Sequence, residues 1–308
     1  MAVGVLAALV VTTVVSVDRV VGLPEAAHWV ASQWRLDVGA PRARWALPPD
    51  PPGATRLAAV GDVGTGEAAE RATAAAVDAL EPGGELAGLL LLGDNVYPDG
   101  DPAEVGAKVL DPFAAVLDGP TRLVAALGNH DVSTDGGAAE LAALGQPGPW
   151  FSTVLGRVEV VVVDSNRAGD PAQLAWLEAT LARPRPPAAG WRVVIQHHPP
   201  VSAGYHGSHD PSVESLVPLY ERYGVDLVLS GHDHDYQRSL PLHGVTYVVS
   251  GAAARLRPTA RGGRTAMAAS TYHFLELVAG PRTLTVRAID QAGQVFDEVV
   301  LPTRPGPG

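Results

Sequence analysis

From Arg56 onward the chain alternates short apolar runs with polar clusters and amphipathic stretches. The run Arg56–Gly61 reads as a strand, and Glu67–Leu80 has Ala-rich helical spacing that Pro82-Gly83-Gly84 should stop. Leu86–Leu92 is continuously apolar, as expected of a strand buried on both faces. Pro102–Leu117 predicts a helix and Thr121–Leu127 a strand, and Phe151–Leu155 with Arg157–Asp164 predict a hairpin. Further on, Pro171–Leu181 and Pro211–Tyr223 predict helices, and Trp191–Gln196 and Val225–Ser230 predict strands. After these the helical pattern stops. Val245–Ser250, His273–Val278, Thr283–Ile289 and Val295–Leu301 all read as strands. Alternating units followed by an all-strand tail predict an α/β fold of two packed sheets with helices outside.

The polar clusters fall directly after these strands, or within a residue or two of them. They are Gly61-Asp62-Val63-Gly64, Gly93-Asp94-Asn95-Val96-Tyr97, Gly128-Asn129-His130-Asp131, Gln196-His197 and Gly231-His232-Asp233-His234. In an open α/β sheet the C-terminal strand ends lie along one edge, where ligands bind. The dispersed clusters are therefore expected to converge, with the preceding glycines letting the strands turn and the backbone approach an ion. Together they offer Asp, Tyr, Asn and His donors, a set that suits iron, manganese or zinc. Asp94 is the natural bridge between two ions. Bridged ions stand ~3.5–4 Å apart and lower the pKa of a shared water, making a hydroxide nucleophile for phosphoryl transfer.

Composition narrows the classes. The 308-residue chain has a formal charge of -11 and no cysteine. The acidic balance argues against non-specific nucleic-acid binding, and disulfides and thiolate metal sites are excluded. Ala2–Val17 is uncharged and apolar. It is short for a span, which needs ~20 residues, and suits a signal peptide or anchor. A Pro-rich stretch follows, with Pro41, Pro48, Pro49, Pro51 and Pro52. The expected organisation is a signal or membrane-anchor helix over 1–23, a linker over 24–53, a catalytic domain over 54–303 and a tail over 304–308. The expected location is extracytoplasmic, secreted or membrane-anchored, with possible membrane attachment through the N-terminal helix.

The five clusters, in order, resemble the calcineurin-like metallophosphoesterases, and within them the purple acid phosphatases, whose patterns are G-D-x-G, G-D-x-x-Y, G-N-H-[DE], V-x-x-H and G-H-x-H. Most other members have a histidine where this chain has Gly64 and lack a counterpart of Tyr97. The resemblance covers roughly Arg56 to Leu301, is nearest to the small, tartrate-resistant type, and implies a four-layer αββα sandwich. It also implies two metal ions: Fe(III) at Asp62, Asp94, Tyr97 and His234, and Fe(II), Zn or Mn at Asp94, Asn129, His197 and His232. His130 would contact the phosphate or leaving group, and His206 would serve the substrate or protonate the leaving oxygen. The implied activity is hydrolysis of small phosphate monoesters by a metal-bound hydroxide. The alternatives are a phosphodiesterase acting on nucleotides or lipid head groups, and an inactive envelope binding module.

Taken singly, each cluster is more often a turn or helix cap. The adjacent His198 is read as a packed or solvated histidine, as are His209, His243 and His273. Asp131 is a candidate for orienting His130 or a neighbouring ligand. Arg255, Arg257, Arg261 and Arg264 are expected to lie in a solvated, mobile loop, the alternative being that they lean over the site and hold phosphate oxygens.

Overall fold

A computed structural model describes residues 50–80 and 85–303. The expected N-terminal helix, most of the linker, the stop at Pro82-Gly83-Gly84 and the tail from 304 lie outside the described residues. Among the described residues no helix is long and apolar enough to cross a membrane.

Strands β1 (Thr55–Val60), β2 (Gly88–Leu91) and β3 (Arg122–Ala125) pair in parallel. The tail strands β11 (His273–Ala279), β12 (Thr283–Asp290) and β13 (Val295–Pro302) join them through an antiparallel β1–β11 pair, giving a six-stranded sheet ordered β13-β12-β11-β1-β2-β3. The remaining strands are β4 (Phe151–Leu155), β5 (Val158–Val162), β6 (Trp191–Ile195), β7 (Leu227–Ser230), β8 (Tyr236–Ser239), β9 (Thr246–Ser250) and β10 (Thr265–Ala269). They form a seven-stranded sheet ordered β10-β8-β9-β7-β6-β5-β4. Both sheets are mixed, as the alternating units followed by an all-strand tail led one to expect.

The continuous apolar runs are explained by burial on two faces. In β1, Leu57 and Ala59 face the layer between the sheets, and Ala58 and Val60 face outward into a second cluster with Val77, Val109 and Phe113. Val160, Val193, Ile195 and Leu229 fill the inter-sheet layer from the other side. Val161, Val194 and Val228 turn outward to meet Leu177, Leu181 and Tyr220. This period of two along each strand puts every residue of the run in an apolar layer. Helices cover both outer faces: α1 (Ala68–Asp78) and α2 (Ala114–Leu117) on one, and α4 (Pro171–Ala182), α5 (Asp210–Ser215) and α6 (Val217–Arg222) on the other, with α3 (Ala138–Ala143) lying between α2 and α4 in the chain.

Two predicted helices are broken. Pro102–Leu117 splits into the 3₁₀ turn Pro102–Glu104, the π-helical Gly106–Leu110 and α2, because Pro112 cannot donate to the helix ladder. Pro211–Tyr223 splits at Leu216, one residue before α6, where Pro218 removes a donor in the same way. Strands β8 and β10 were not predicted. Both are short, and Tyr-Gln-Arg-Ser and Thr-Ala-Met-Ala-Ala carry too little apolar alternation to announce a strand.

The inter-sheet layer carries the stability of the sandwich. Leu90 is fully buried there. Leu90→Ala is predicted to cost ~2–5 kcal/mol in denaturant unfolding, as large-to-small core changes do. A loss under about 1 kcal/mol, the scale of an ordinary surface change, would show that the layer is loosely packed.

Candidate metal centre

The strand-end clusters converge, but not along the edge of one sheet. Asp62, Asp94 and Asn129 follow β1, β2 and β3 of the six-stranded sheet, and His197, His232 and His234 follow β6 and β7 of the seven-stranded one. The site is the seam between the two sheets. His197 stitches it, its Nδ1 lying 3.0 Å from the Leu92 carbonyl oxygen. A carbonyl only accepts, so Nδ1 carries the proton and Nε2 is left with its lone pair facing the site. A second stitch is the His232 amide, which donates to Asp62 Oδ2 at 2.8 Å.

The expected bends at the preceding glycines are mostly made one residue later. Asp62, Asp94 and His232 themselves take left-handed φ values of 58°, 52° and 71°. Such a backbone costs an L-residue ~1–2 kcal/mol and is found where surrounding structure enforces it, often at functional sites. The glycines serve close approach. A Cβ on Gly128 would stand 2.1 Å from Asp94 Oδ1, and one on Gly231 2.5 Å from Asp62 Oδ2. The departure at Gly64 has a steric cause as well, since a side chain there would strike the backbone of Asn95 at about 2.5 Å.

Two groups of donors result. In the first, the buried Tyr97 hydroxyl lies 2.9 Å from Asp94 Oδ2, 3.2 Å from Asp62 Oδ1 and 3.2 Å from His234 Nε2. His234 Nε2 is in turn 3.3 Å from Asp62 Oδ1. In the second, His197 Nε2 lies 3.1 Å from Asn129 Oδ1, 3.4 Å from Asp94 Oδ1 and 3.2 Å from His232 Nδ1. Asp94 turns one carboxylate oxygen to each group. Donor atoms about 3 Å apart are what neighbouring ligands of one ion with metal–ligand distances of ~2.0–2.2 Å require.

The electrostatics fit cations here. Burial, and then the nearby Asp94, push the Asp62 carboxyl well above the usual carboxylate range, although His197 opposes this. The Tyr97 phenol is pushed far above its ordinary value by burial and by Asp62 and Asp94. Both groups ionise readily only if positive charge joins them. His234 is held down to about 4, first by burial, and burial also lowers His232 strongly. Neutral imidazoles are the form that binds metal. The groups Asp62/Asp94/His197 and His197/His198/His232 each bring their donor atoms within 4.8 Å of one another.

The calcineurin-like phosphoesterase profile matches residues 55–236, the span that carries all of these donors. The chain belongs to the calcineurin-like phosphoesterase family. Tartrate-resistant acid phosphatase type 5 of Mus musculus is 31% identical over 145 residues, covering 44% of this chain and 43% of that protein. The chain thus matches less than half the length of that curated relative. Among solved structures, purple acid phosphatase PPD1 from yellow lupin superposes with a TM-score of 0.68 at 20% identity, over 83% of this chain and 55% of that one. A Plasmodium structure described as "GAP50 the anchor in the inner membrane complex" superposes with a TM-score of 0.71 at 15% identity, over 82% of this chain and 90% of that one. These likenesses establish a shared fold.

Within this family fold His130 and His206 line the mouth of the centre. His130 stands over Tyr97 with ring centroids 4.7 Å apart, and its backbone amide donates to Asp94 Oδ1 at 3.0 Å. Its Nδ1 donates to the Pro98 carbonyl at 2.5 Å, which points Nε2 toward Asp94 Oδ2, 4.0 Å away. Asp131 does not hold His130. It accepts from the amides of Asn95, Val96 and Gly128, tying the β2 and β3 loops together. His206 packs its ring 4.3 Å from His232, and its amide is fixed by Asp233 Oδ1 at 2.8 Å.

Two groups were missed in the sequence. His198, read as a packed or solvated residue, bonds Ser165 Oγ at 2.9 Å and sits 4.6 Å from the His232 ring. It joins only the cluster His197/His198/His232, whereas His197 also lies within reach of Asp62 and Asp94, so His197 remains the better ligand candidate. The Arg-rich segment, expected as a solvated loop, brings Arg255 and Arg257 to the site. The Arg255 guanidinium stands 4.4 Å above the Tyr97 ring, and Arg257 Nη1 donates to His206 Nε2 at 2.9 Å. The crowding of arginines after Ser250-Gly251 was the available signal.

Because Asp62 and Asp94 are buried together, cation removal is predicted to cost stability. Chelator-treated wild type should melt below the metal-loaded protein. Asp62→Asn, treated the same way, should melt no lower than chelated wild type, since it deletes a buried charge and keeps the shape. Identical melts with and without metal would mean that the cluster is satisfied without cations.

Proposed function

We propose that this phosphoesterase is a purple-type acid phosphatase, hydrolysing small phosphate monoesters at a two-metal centre. The observation that carries the reading is Asp94, with one oxygen in each of two donor groups that together contain Asp62, Tyr97, His234, Asn129, His197 and His232. The first group, with its phenol, suits Fe(III), and the second, with an amide oxygen and two imidazoles, suits Fe(II), Zn or Mn. When bound, such ions act as Lewis acids on the phosphoryl oxygens and lower the pKa of water. Retention of every donor type supports an enzyme over an inactive binding module. The names of the curated relatives support a monoester, and the apolar segment 2–17 supports a place outside the cytoplasm.

The protein's own groups have separable tasks. Asp94, held by the His130 amide, fixes the relative position of the two donor groups. Asn129 and His197 hold the second group against the Leu92 carbonyl. His130 Nε2 and His206 flank the opening, where they touch a substrate phosphate or its leaving oxygen. With Arg257 donating to His206 Nε2, a neutral His206 keeps its proton on Nδ1. Desolvation of its ring and the Arg257 charge together hold its pKa at about 4. With Nε2 taken up by Arg257, His206 is assigned to phosphate binding.

Three outcomes are predicted. Purified protein should carry close to two metal ions per chain, at least one of them iron, and should hydrolyse 4-nitrophenyl phosphate faster than bis(4-nitrophenyl) phosphate. Elemental analysis finding one ion or none in protein never exposed to chelator would sink the two-metal centre, and a faster diester would make it a phosphodiesterase. The loaded protein should be pink to violet from phenolate-to-Fe(III) charge transfer, and Tyr97→Phe should bleach it while hydrolysis persists. His206→Ala should slow an alkyl and a nitrophenyl phosphate equally, with metal content unchanged. A general acid contributes ~10²–10⁴-fold, and loss of that size confined to the alkyl ester would restore His206 to that role.

A further inference from the structure

The loop after β9 is pinned to the centre by its backbone. The Ala253 amide donates to the Gly61 carbonyl at 3.3 Å, next to Asp62, and the Arg257 amide donates to the His234 carbonyl at 2.8 Å. Ser270 Oγ donates to the Arg257 carbonyl at 2.7 Å, closing the loop from its far side. The segment Arg255-Leu256-Arg257 is thereby carried across the opening, with Arg255 and Leu256 exposed.

The two guanidinium groups rest on different side chains beside the paired donor groups. Arg255 covers the ring of Tyr97, which belongs to the first group. Arg257 rests 4.6 Å above Tyr205 and reaches His206, whose ring lies against His232 of the second group. Among the described residues neither arginine forms an ion pair with a carboxylate. Each rests on an aromatic face, a contact that holds a guanidinium in place while its N–H edge stays available to an anion.

We infer that Arg255 and Arg257 are specificity-determining residues that select doubly charged phosphate monoesters over singly charged diesters. The inference rests on the reading of the seam as a two-metal phosphoesterase centre. A terminal phosphate near neutral pH carries about two negative charges, its second pKa being near 6. A diester carries one charge and hides an oxygen behind an ester group. Metal donors alone treat the two alike, because both present non-bridging oxygens. Guanidinium groups beside the centre give the extra charge and extra oxygen of the monoester a partner that the diester cannot use.

The test uses the full-length, metal-loaded chain with 4-nitrophenyl phosphate, bis(4-nitrophenyl) phosphate and inorganic phosphate as an inhibitor. In Arg257→Ala, kcat/KM for the monoester should fall about 10- to 100-fold, the worth of a hydrogen bond to a charged group, while the diester changes by less than about 3-fold. Inorganic phosphate should inhibit more weakly by a similar factor, with metal content and melting temperature unchanged. Arg255→Ala should move the same ratio in the same direction. Arg255 is exposed, so this variant decides the matter even if Arg257→Ala folds poorly. Equal loss on both substrates, or none on either, overturns the inference. If the metal-loaded wild type hydrolyses neither ester, it is the phosphatase reading that fails. Calorimetry with inorganic phosphate then decides the arginines, and unchanged affinity in both variants overturns their role.

Discussion

Two carboxylates held out of water beside one another are the constraint on which this structure turns. Asp62 is fully buried and Asp94 nearly so, and a phenol stands between them. Left to itself such a cluster is unfavourable, because desolvation penalises each charge and each charge opposes the other. Around it, backbone and side-chain dipoles are turned inward. The His232 amide faces Asp62, the His130 amide faces Asp94, and both aspartates sit in left-handed conformations that the rest of the fold must enforce. A protein bears that concentration of cost at a place where cations are to be held.

The sandwich makes the concentration possible. Each sheet is buried on both faces, so its parallel strands are stiff and their ends well placed. The centre lies where the ends of β1, β2 and β3 meet those of β6 and β7, and two hydrogen bonds across the seam set its width. Gly128 and Gly231 are spacers in this arrangement, because any side chain there would occupy the volume of the carboxylates. Asp131 performs the same bracing one layer back, with its carboxylate gathering three backbone amides from two loops.

The opening of the site has a different character. Its walls are histidines and arginines on loops, and the contacts among them are ring stacks and single hydrogen bonds. On the function proposed here, the buried donors serve the chemistry common to phosphate esters, and the loop residues choose among those esters. The strand ends are a common frame, and the chemistry rides on the residues attached to it.

The sequence by itself determined most of the frame and put the polar clusters at the strand ends. Apolar runs buried on both faces are visible one residue at a time, so β1, β2, β6 and β7 were found close to their observed bounds. The clusters after them were legible for the same reason, since a polar residue directly after a buried strand has nowhere to go but the edge. Only the tertiary structure decided the rest. The split of the donors between two sheets depends on how the sheets stack, which no local pattern encodes. The bend falling on Asp62, Asp94 and His232 depends on the close approach of other backbone segments. The short strands β8 and β10 owe their pairing to neighbours more than to their own alternation. The placing of Arg255 and Arg257 was open in the chain, with a solvated loop the preferred reading, because a guanidinium's role is set by what lies under it. Here Tyr97 and Tyr205, distant in sequence and brought near by the seam, supply that surface.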